Sequence, residues 1–169
     1  AANVGDMENT GLELEVSYRK SIGKLDLTVS GNVSHLSNKV TYLGEGIEYR
    51  EDDQQTFQAS TYPITRVAVG HALHSFYGFK TQGIFQNEAA VQNHVNSEGK
   101  VIQPNAAPGD FIWADLNDDG EITQEDRTFI GSPIPDWTYG LTIKANYKNF
   151  DLTIFGQGVA GNEIFQGLR

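Results

Sequence analysis

From Trp137 to Tyr147 the chain alternates without a break. Trp137, Tyr139, Leu141, Ile143, Ala145 and Tyr147 point one way, and Thr138, Gly140, Thr142, Lys144 and Asn146 the other. A period of two belongs to a strand whose two faces meet different surroundings. Lys148-Asn149 then turns the chain, and Phe150, Leu152 and Ile154 resume the apolar face opposite Asp151 and Thr153. Eleven residues before a tight turn is about the length of a membrane-crossing strand. An apolar face with Trp and Tyr near its ends fits a strand facing lipid through an aromatic girdle. An ordinary sandwich hairpin alternates in the same way, so periodicity alone leaves both readings open.

A second hairpin is written near the start. Asn9 to Gly11 reads as a turn, after which Leu12, Leu14, Val16 and Tyr18 alternate with Glu13, Glu15, Ser17 and Arg19. Ser21 to Lys24 turns the chain, and Leu25, Leu27, Val29, Gly31 and Val33 resume opposite Asp26, Thr28, Ser30, Asn32 and Ser34. Between the hairpins the pattern weakens. Asn38 to Leu43 reads as strand, Glu45 to Gln55 as loop, and Thr61 to Val69 as a strand that Pro63 places at an edge or a strand start. The aromatics Phe76, Tyr77, Phe79 and Phe85 read first as packed core or interface, ahead of a ligand platform. His71 and His74 read as solvated or hydrogen-bonded residues, with no third ligand nearby. Asn87 caps a short helix over 88–94.

The densest chemistry lies in Asp115-x-Asn117-x-Asp119-Gly120, followed by Asp126. This is the spacing of a calcium loop: side-chain oxygens at positions 1, 3 and 5, a glycine at the sharp turn and a carboxylate at position 12. Glu121 would supply its backbone carbonyl, Thr123 would act directly or through water, and Ile122 would anchor the loop to a core. The same Asp, Asn and Gly residues are also ordinary turn chemistry. Thr123-x-x-Asp126 resembles a capping box and predicts a short helix from Gln124 towards Ile130. The expected metal residues are therefore Asp115, Asn117, Asp119, Glu121 and Asp126, and the expected ion is a structural Ca²⁺.

Composition narrows the function classes. The net charge is −10, from 22 acidic and 12 basic residues without a basic cluster, which argues against nucleic acid as a partner. The absence of cysteine excludes disulfides, thiolate metal sites and cysteine nucleophiles. No apolar run reaches the roughly 18 residues of a membrane helix, although membrane β-strands carry a much weaker signal. No catalytic motif or paired carboxylate demands an enzyme. The first residues lack the basic start and apolar stretch of a signal peptide, and the chain reads as a piece of something longer.

In combination these features resemble the carboxy-proximal barrel region of the SusC/RagA family of TonB-dependent outer-membrane transporters. The resemblance is carried by Pro108-Gly109-Asp110, the Asp-x-Asn-x-Asp-Gly loop and Asp126-Arg127. It continues through Ile130-Gly131-Ser132-Pro133-Ile134-Pro135, Tyr139-Gly140, Phe150-Asp151-Leu152 and Gln157-Gly158. Upstream, Ser75 to Thr81, Gly83 to Gln86, Glu88-Ala89 and the set Asn3, Gly5, Asn9, Gly11 and Glu13 also fit.

The resemblance implies a mainly β fold of antiparallel hairpins from a large outer-membrane barrel, with a loop-rich insert. Residues 1–43 and 137–169 would be barrel-type hairpins, and 44–136 an extracellular region with one or two short helices and the calcium-like loop. It implies import of a glycan or peptide nutrient with a SusD-like lipoprotein as lid, in a Gram-negative outer membrane. The plug and the segment contacting the TonB complex would lie outside this chain, so the chain would be scaffold and binding surface, not an enzyme. The alternative from the residues alone is a soluble calcium-dependent protein- or glycan-binding module. Such modules duplicate their loop, and here it occurs once.

Overall fold

A computed structural model describes residues 5–51 and 62–166. The elements in chain order are β1 (Asp6–Ile22), β2 (Leu25–Tyr42), β3 (Tyr49–Glu51), β4 (Thr65–Ala68), β5 (Ser75–Phe79) and β6 (Thr81–Ile84). They continue with α1 (Glu88–Asn93), β7 (Phe111–Trp113), a 3-10 turn (Gln124–Asp126), β8 (Arg127–Gly131), β9 (Trp137–Tyr147) and β10 (Phe150–Ala160). The described residues form two units, one of 5–51, 67–74 and 132–166, the other of 62–66 and 75–131.

In the first unit both hairpins join one antiparallel sheet of four strands in the order β1-β2-β9-β10. The register sets apolar residues side by side: Tyr18 opposite Val29, Val29 opposite Ile143, and Ile143 opposite Ile154. Each strand's alternation is therefore added to its neighbour's and not cancelled, because a one-residue slip would exchange the faces. β1 and β2 together outrun β9 and β10. His35 faces Trp137 at the end of β9, while β2 continues to Tyr42. Val40 and Leu43 are buried there, and the Val40 N–H donates to His71 O at 2.9 Å.

Asn9 to Gly11 is strand, not turn. Asn9 pairs with Asn38 and Gly11 with Leu36, and the Asn38 amide donates to Asn9 Oδ1 at 2.6 Å. Gly11 is required by close approach, since a Cβ there would stand 2.6 Å from His35 O. Turn-favouring residues in this case serve a tight strand pair.

In the second unit, Thr65 and Arg66 of β4 pair with β5, and β5 pairs with β8. A separate ribbon joins β6 to β7. Buried Phe85, Val91, Ile102 and Ala114 form its core. The Asn87 cap appears as expected, its Oδ1 accepting the Ala90 N–H at 2.8 Å. The helix expected from Gln124 to Ile130 stops after one 3-10 turn, because Arg127 enters β8 opposite Phe79. Within the loop expected over 45–55, Tyr49–Glu51 forms β3, and residues 52–55 lie outside the described residues.

Candidate functional site

Two surfaces carry function-bearing chemistry. One is the four-stranded sheet. Its apolar face holds Leu12, Leu14, Val16 and Tyr18 of β1, Val29 and Val33 of β2, Tyr139, Leu141 and Ile143 of β9, and Phe150, Leu152 and Ile154 of β10. Many of these are open, with Leu12 75% and Phe150 77% exposed. Such an area exceeds the few hundred Å² that a soluble monomer leaves in water, so it needs another medium or another layer. The opposite face carries Glu15, Ser17, Asn32, Ser30, Thr142, Lys144 and Gln157, together with the exposed Phe155 and Val159 of β10, and its Ser17 and Ser30 hydroxyls lie 2.9 Å apart.

Aromatics stand at both ends of β9, with Trp137 and Tyr139 at one and Tyr147 at the other. Trp137 and Tyr147 are separated by about 33 Å along the strand at 3.3 Å per residue. A tilt of about 40° makes that about 25 Å of membrane normal, the height of an outer-membrane apolar band. Tyr139 lies across Gly158, where a Cβ would come within 2.6 Å of the ring. Among the described residues no helix is long and apolar enough to cross a membrane, a statement that leaves strands untouched.

The other surface is the acidic loop, and it is closed on itself. Asp115 accepts the Asp118 N–H at 2.7 Å on one oxygen and the Gly120 N–H at 2.8 Å on the other. Asp119 Oδ1 accepts the Glu121 N–H at 2.8 Å, and its other oxygen accepts from the Asn117 amide at 2.9 Å. Asn117 Oδ1 accepts the Asp119 N–H at 3.2 Å. Asp126 is fully buried, with its oxygens on the Leu116 N–H (2.8 Å) and the Thr123 N–H (2.7 Å). The last contact completes the capping box read from the sequence. Asp118 and Gly120 take positive φ, 62° and 76°, to bring these N–H groups inward.

A neighbouring turn grips this loop. Asn96 is buried; its oxygen accepts from the Glu98 and Lys100 N–H groups, and its amide donates to Asp118 O at 3.2 Å. The Ser97 N–H donates to Asp118 Oδ1 at 2.9 Å, and hydrogen bonding from the Ser97 side chain, then from this N–H, holds that carboxyl below its ordinary pKa. The Lys100 ammonium reaches Glu121 at 2.9 Å and Asp119 O at 3.3 Å, and the Glu121 bond raises its pKa. His94 packs edge-on against Phe85 at 5.6 Å, and burial lowers its pKa against the opposing charge of Asp115. Arg127, next to Asp126, turns the other way and donates to the carbonyls of Pro63 and Tyr77.

Asn96, Ser97 and Lys100 were not among the residues read as functional. The only sequence signal there is the turn composition of Asn96-Ser97-Glu98-Gly99. Among the described residues, no three His, Asp or Glu side chains converge to hold a metal. Calcium takes six to eight oxygens. Asp115, Asn117, Asp119, the Glu121 carbonyl and Asp126 are oxygen donors of that kind, and a carboxylate oxygen that accepts one N–H keeps a further lone pair.

An amphipathic sheet of this length and girdle defines a stretch of outer-membrane β-barrel wall, and known proteins agree. The chain is 34% identical over 168 residues to TonB-dependent receptor P3 of Formosa agariphila, covering 96% of this chain and 16% of the receptor. It is 26% identical over 168 residues to the TonB-dependent receptor SusC of Bacteroides thetaiotaomicron, covering 96% of this chain and 15% of that receptor. No family model matches the chain. Its fold matches a chain in the structure of the RagAB peptide transporter with a TM-score of 0.65 at 20% identity, over 94% of this chain and 16% of that one. A closed-closed state of the RagAB peptide importer gives 0.64 at 19% identity, over 95% and 16%. The chain belongs to the SusC/RagA family of TonB-dependent receptors and spans about a sixth of the length of the relatives it matches. Those relatives are named as receptors and transporters, not enzymes.

Proposed function

We propose that this chain is part of the barrel wall and external loop region of an outer-membrane protein that imports nutrients in a TonB-dependent way. The observation that carries the reading is the mainly apolar face shared by β1, β2, β9 and β10 above a mainly polar opposite face. Lipid would meet the apolar side. The Ser, Thr and Asn side would line the lumen, through which the nutrient or a plug passes. The chemistry is passive: these residues bind, orient and exclude lipid, and make or break no covalent bond.

The sheet also supports an orientation. The turn between β1 and β2 and the turn at Lys148-Asn149 fall at the same end of the sheet, and both are short. The long connection from Tyr42 to Trp137 leaves from the other end. Outer-membrane barrels keep short turns in the periplasm and long loops outside. Residues 44–136 would then face the exterior, where a SusD-like lipoprotein would close over the barrel. The nutrient would be a glycan or a peptide oligomer, and the likeness in fold to the RagAB peptide transporter favours a peptide.

Single-cysteine labelling of whole cells, in a full-length protein with any cysteines outside this cysteine-free chain replaced, tests this directly. Glu98→Cys in the full-length protein is expected to react with a membrane-impermeant maleimide, and Asn149→Cys only after the outer membrane is broken. Labelling of Asn149→Cys alone on intact cells would reverse the orientation. Equal labelling of Ile143→Cys and Thr142→Cys in purified micelles would sink the lipid-facing assignment. Uptake of labelled peptides and oligosaccharides by cells with and without the protein decides the nutrient class.

A further inference from the structure

We propose that the short-turn end of the four-stranded sheet is a docking site for the phosphate headgroup of an anionic phospholipid, held by Lys20, Lys24 and Lys148. The inference rests on the reading of this sheet as barrel wall with its short turns in the periplasm, and adds which lipid that end selects. The sequence has no basic run, but the register gathers one. Gly23-Lys24 turns β1 into β2, and Lys148-Asn149 turns β9 into β10. Leu25 lies opposite Tyr147, so Lys24 and Lys148 stand one position beyond the same pair, at neighbouring strand ends. Lys20 lies opposite Leu27, in a row that runs on through Ala145 to Leu152, and so shares the apolar face.

The acids of this end lie on the other face. Asp26 and Asp151 both pair with Asn146 among the polar-face residues, and Asp26 accepts from the Ser21 hydroxyl. The last row on the apolar side, Ile22, Leu25, Tyr147 and Phe150, and the row of Lys20 behind it hold no carboxylate. Among the described residues none of the three lysines forms an ion pair, and the Lys148 ammonium lies 5.4 Å over the Tyr147 ring. Like charges on neighbouring strands repel; a headgroup phosphate between Lys24 and Lys148 turns that repulsion into attraction. Lys20 sits one row, about 7 Å, inside the last apolar row. A lysine stem of that reach lies along apolar surface and lifts its ammonium to the headgroup level. At the opposite end of the same face Lys39 stands across from Glu8 and is balanced by it. The excess of positive charge belongs to the short-turn end, where anionic lipid is attracted by each lysine near the surface.

The test puts a photoreactive benzoylphenylalanine in place of Phe150 in the full-length protein, reconstituted in nanodiscs of equal parts phosphatidylethanolamine and phosphatidylglycerol. Mass spectrometry identifies the crosslinked lipid. Phosphatidylglycerol adducts are expected to outnumber phosphatidylethanolamine adducts about five-fold, the effect of one lysine near a charged surface. The excess should vanish in Lys20→Gln/Lys24→Gln/Lys148→Gln and persist in Lys20→Arg/Lys24→Arg/Lys148→Arg. Adducts in bulk proportion, or an excess that survives the glutamine changes, would overturn the proposal and leave the lipid-facing wall intact. No lipid adduct at all would sink the wall itself, and the proposal with it. In whole cells the same probe is expected to capture phospholipid. Adducts with lipopolysaccharide would put this end in the outer leaflet and overturn the choice of ligand.

Discussion

The sheet and the acidic loop satisfy their groups in opposite ways. The sheet pairs its backbone strand to strand and leaves its side chains unsatisfied, with an open apolar face on one side and unpaired outer edges on β1 and β10 among the described residues. The loop has almost no regular structure, yet its side chains satisfy its backbone, donor by donor. A sheet of the first kind depends on its surroundings, because edges and apolar faces must be closed by further strands and by lipid. A loop of the second kind carries its determinants within a few turns of chain. The two regions should therefore respond to different insults.

The largest effect is expected on the lipid face. Ile143→Arg should cost about 2–4 kcal/mol of barrel stability, as for a charge near the bilayer midplane. Thr142→Arg on the polar face should cost far less. Denaturant titration of the full-length protein in vesicles reads both, and equal costs would remove the distinction between the faces. Next comes Asp126→Ala, which strands the Leu116 and Thr123 N–H groups. Local opening of 116–126 should become easier by about 2–3 kcal/mol, read by hydrogen exchange, with the barrel transition unmoved. A drop in that transition would show that the loop is not self-contained.

Gly120→Ala should cost about 1–3 kcal/mol in the same local measurement, since the residue adopts φ of 76° and faces the Lys100 stem. The smallest effect belongs to Asn87→Ala, which loses the cap of α1 at about 1 kcal/mol. It should appear as faster exchange at Ala90 alone.

The alternation of β9 and β10 was legible because period two survives any antiparallel register that keeps apolar residues opposed. The Asn87 cap and the Thr123–Asp126 box were legible because their partners lie three residues away. Where the sequence misled, a distant partner had changed the meaning of a local signal. Asn9 to Gly11 has turn composition, but Leu36 to Asn38 convert it to strand. Gln124 onward starts like a helix, but pairing with β5 ends it at Arg127.

By itself the sequence determined which side of each strand is apolar, where the short turns fall and where the acidic residues cluster. Those properties depend on neighbours within one or two turns of chain. The tertiary structure alone decided that β2 lies beside β9, that Asn96, Ser97 and Lys100 grip the acidic loop, and that Arg127 locks onto Pro63 and Tyr77. Each of these joins groups far apart along the chain, where no periodicity or spacing records the partner. Burial and hydrogen-bond demand choose among the candidates only once the backbone has brought them together.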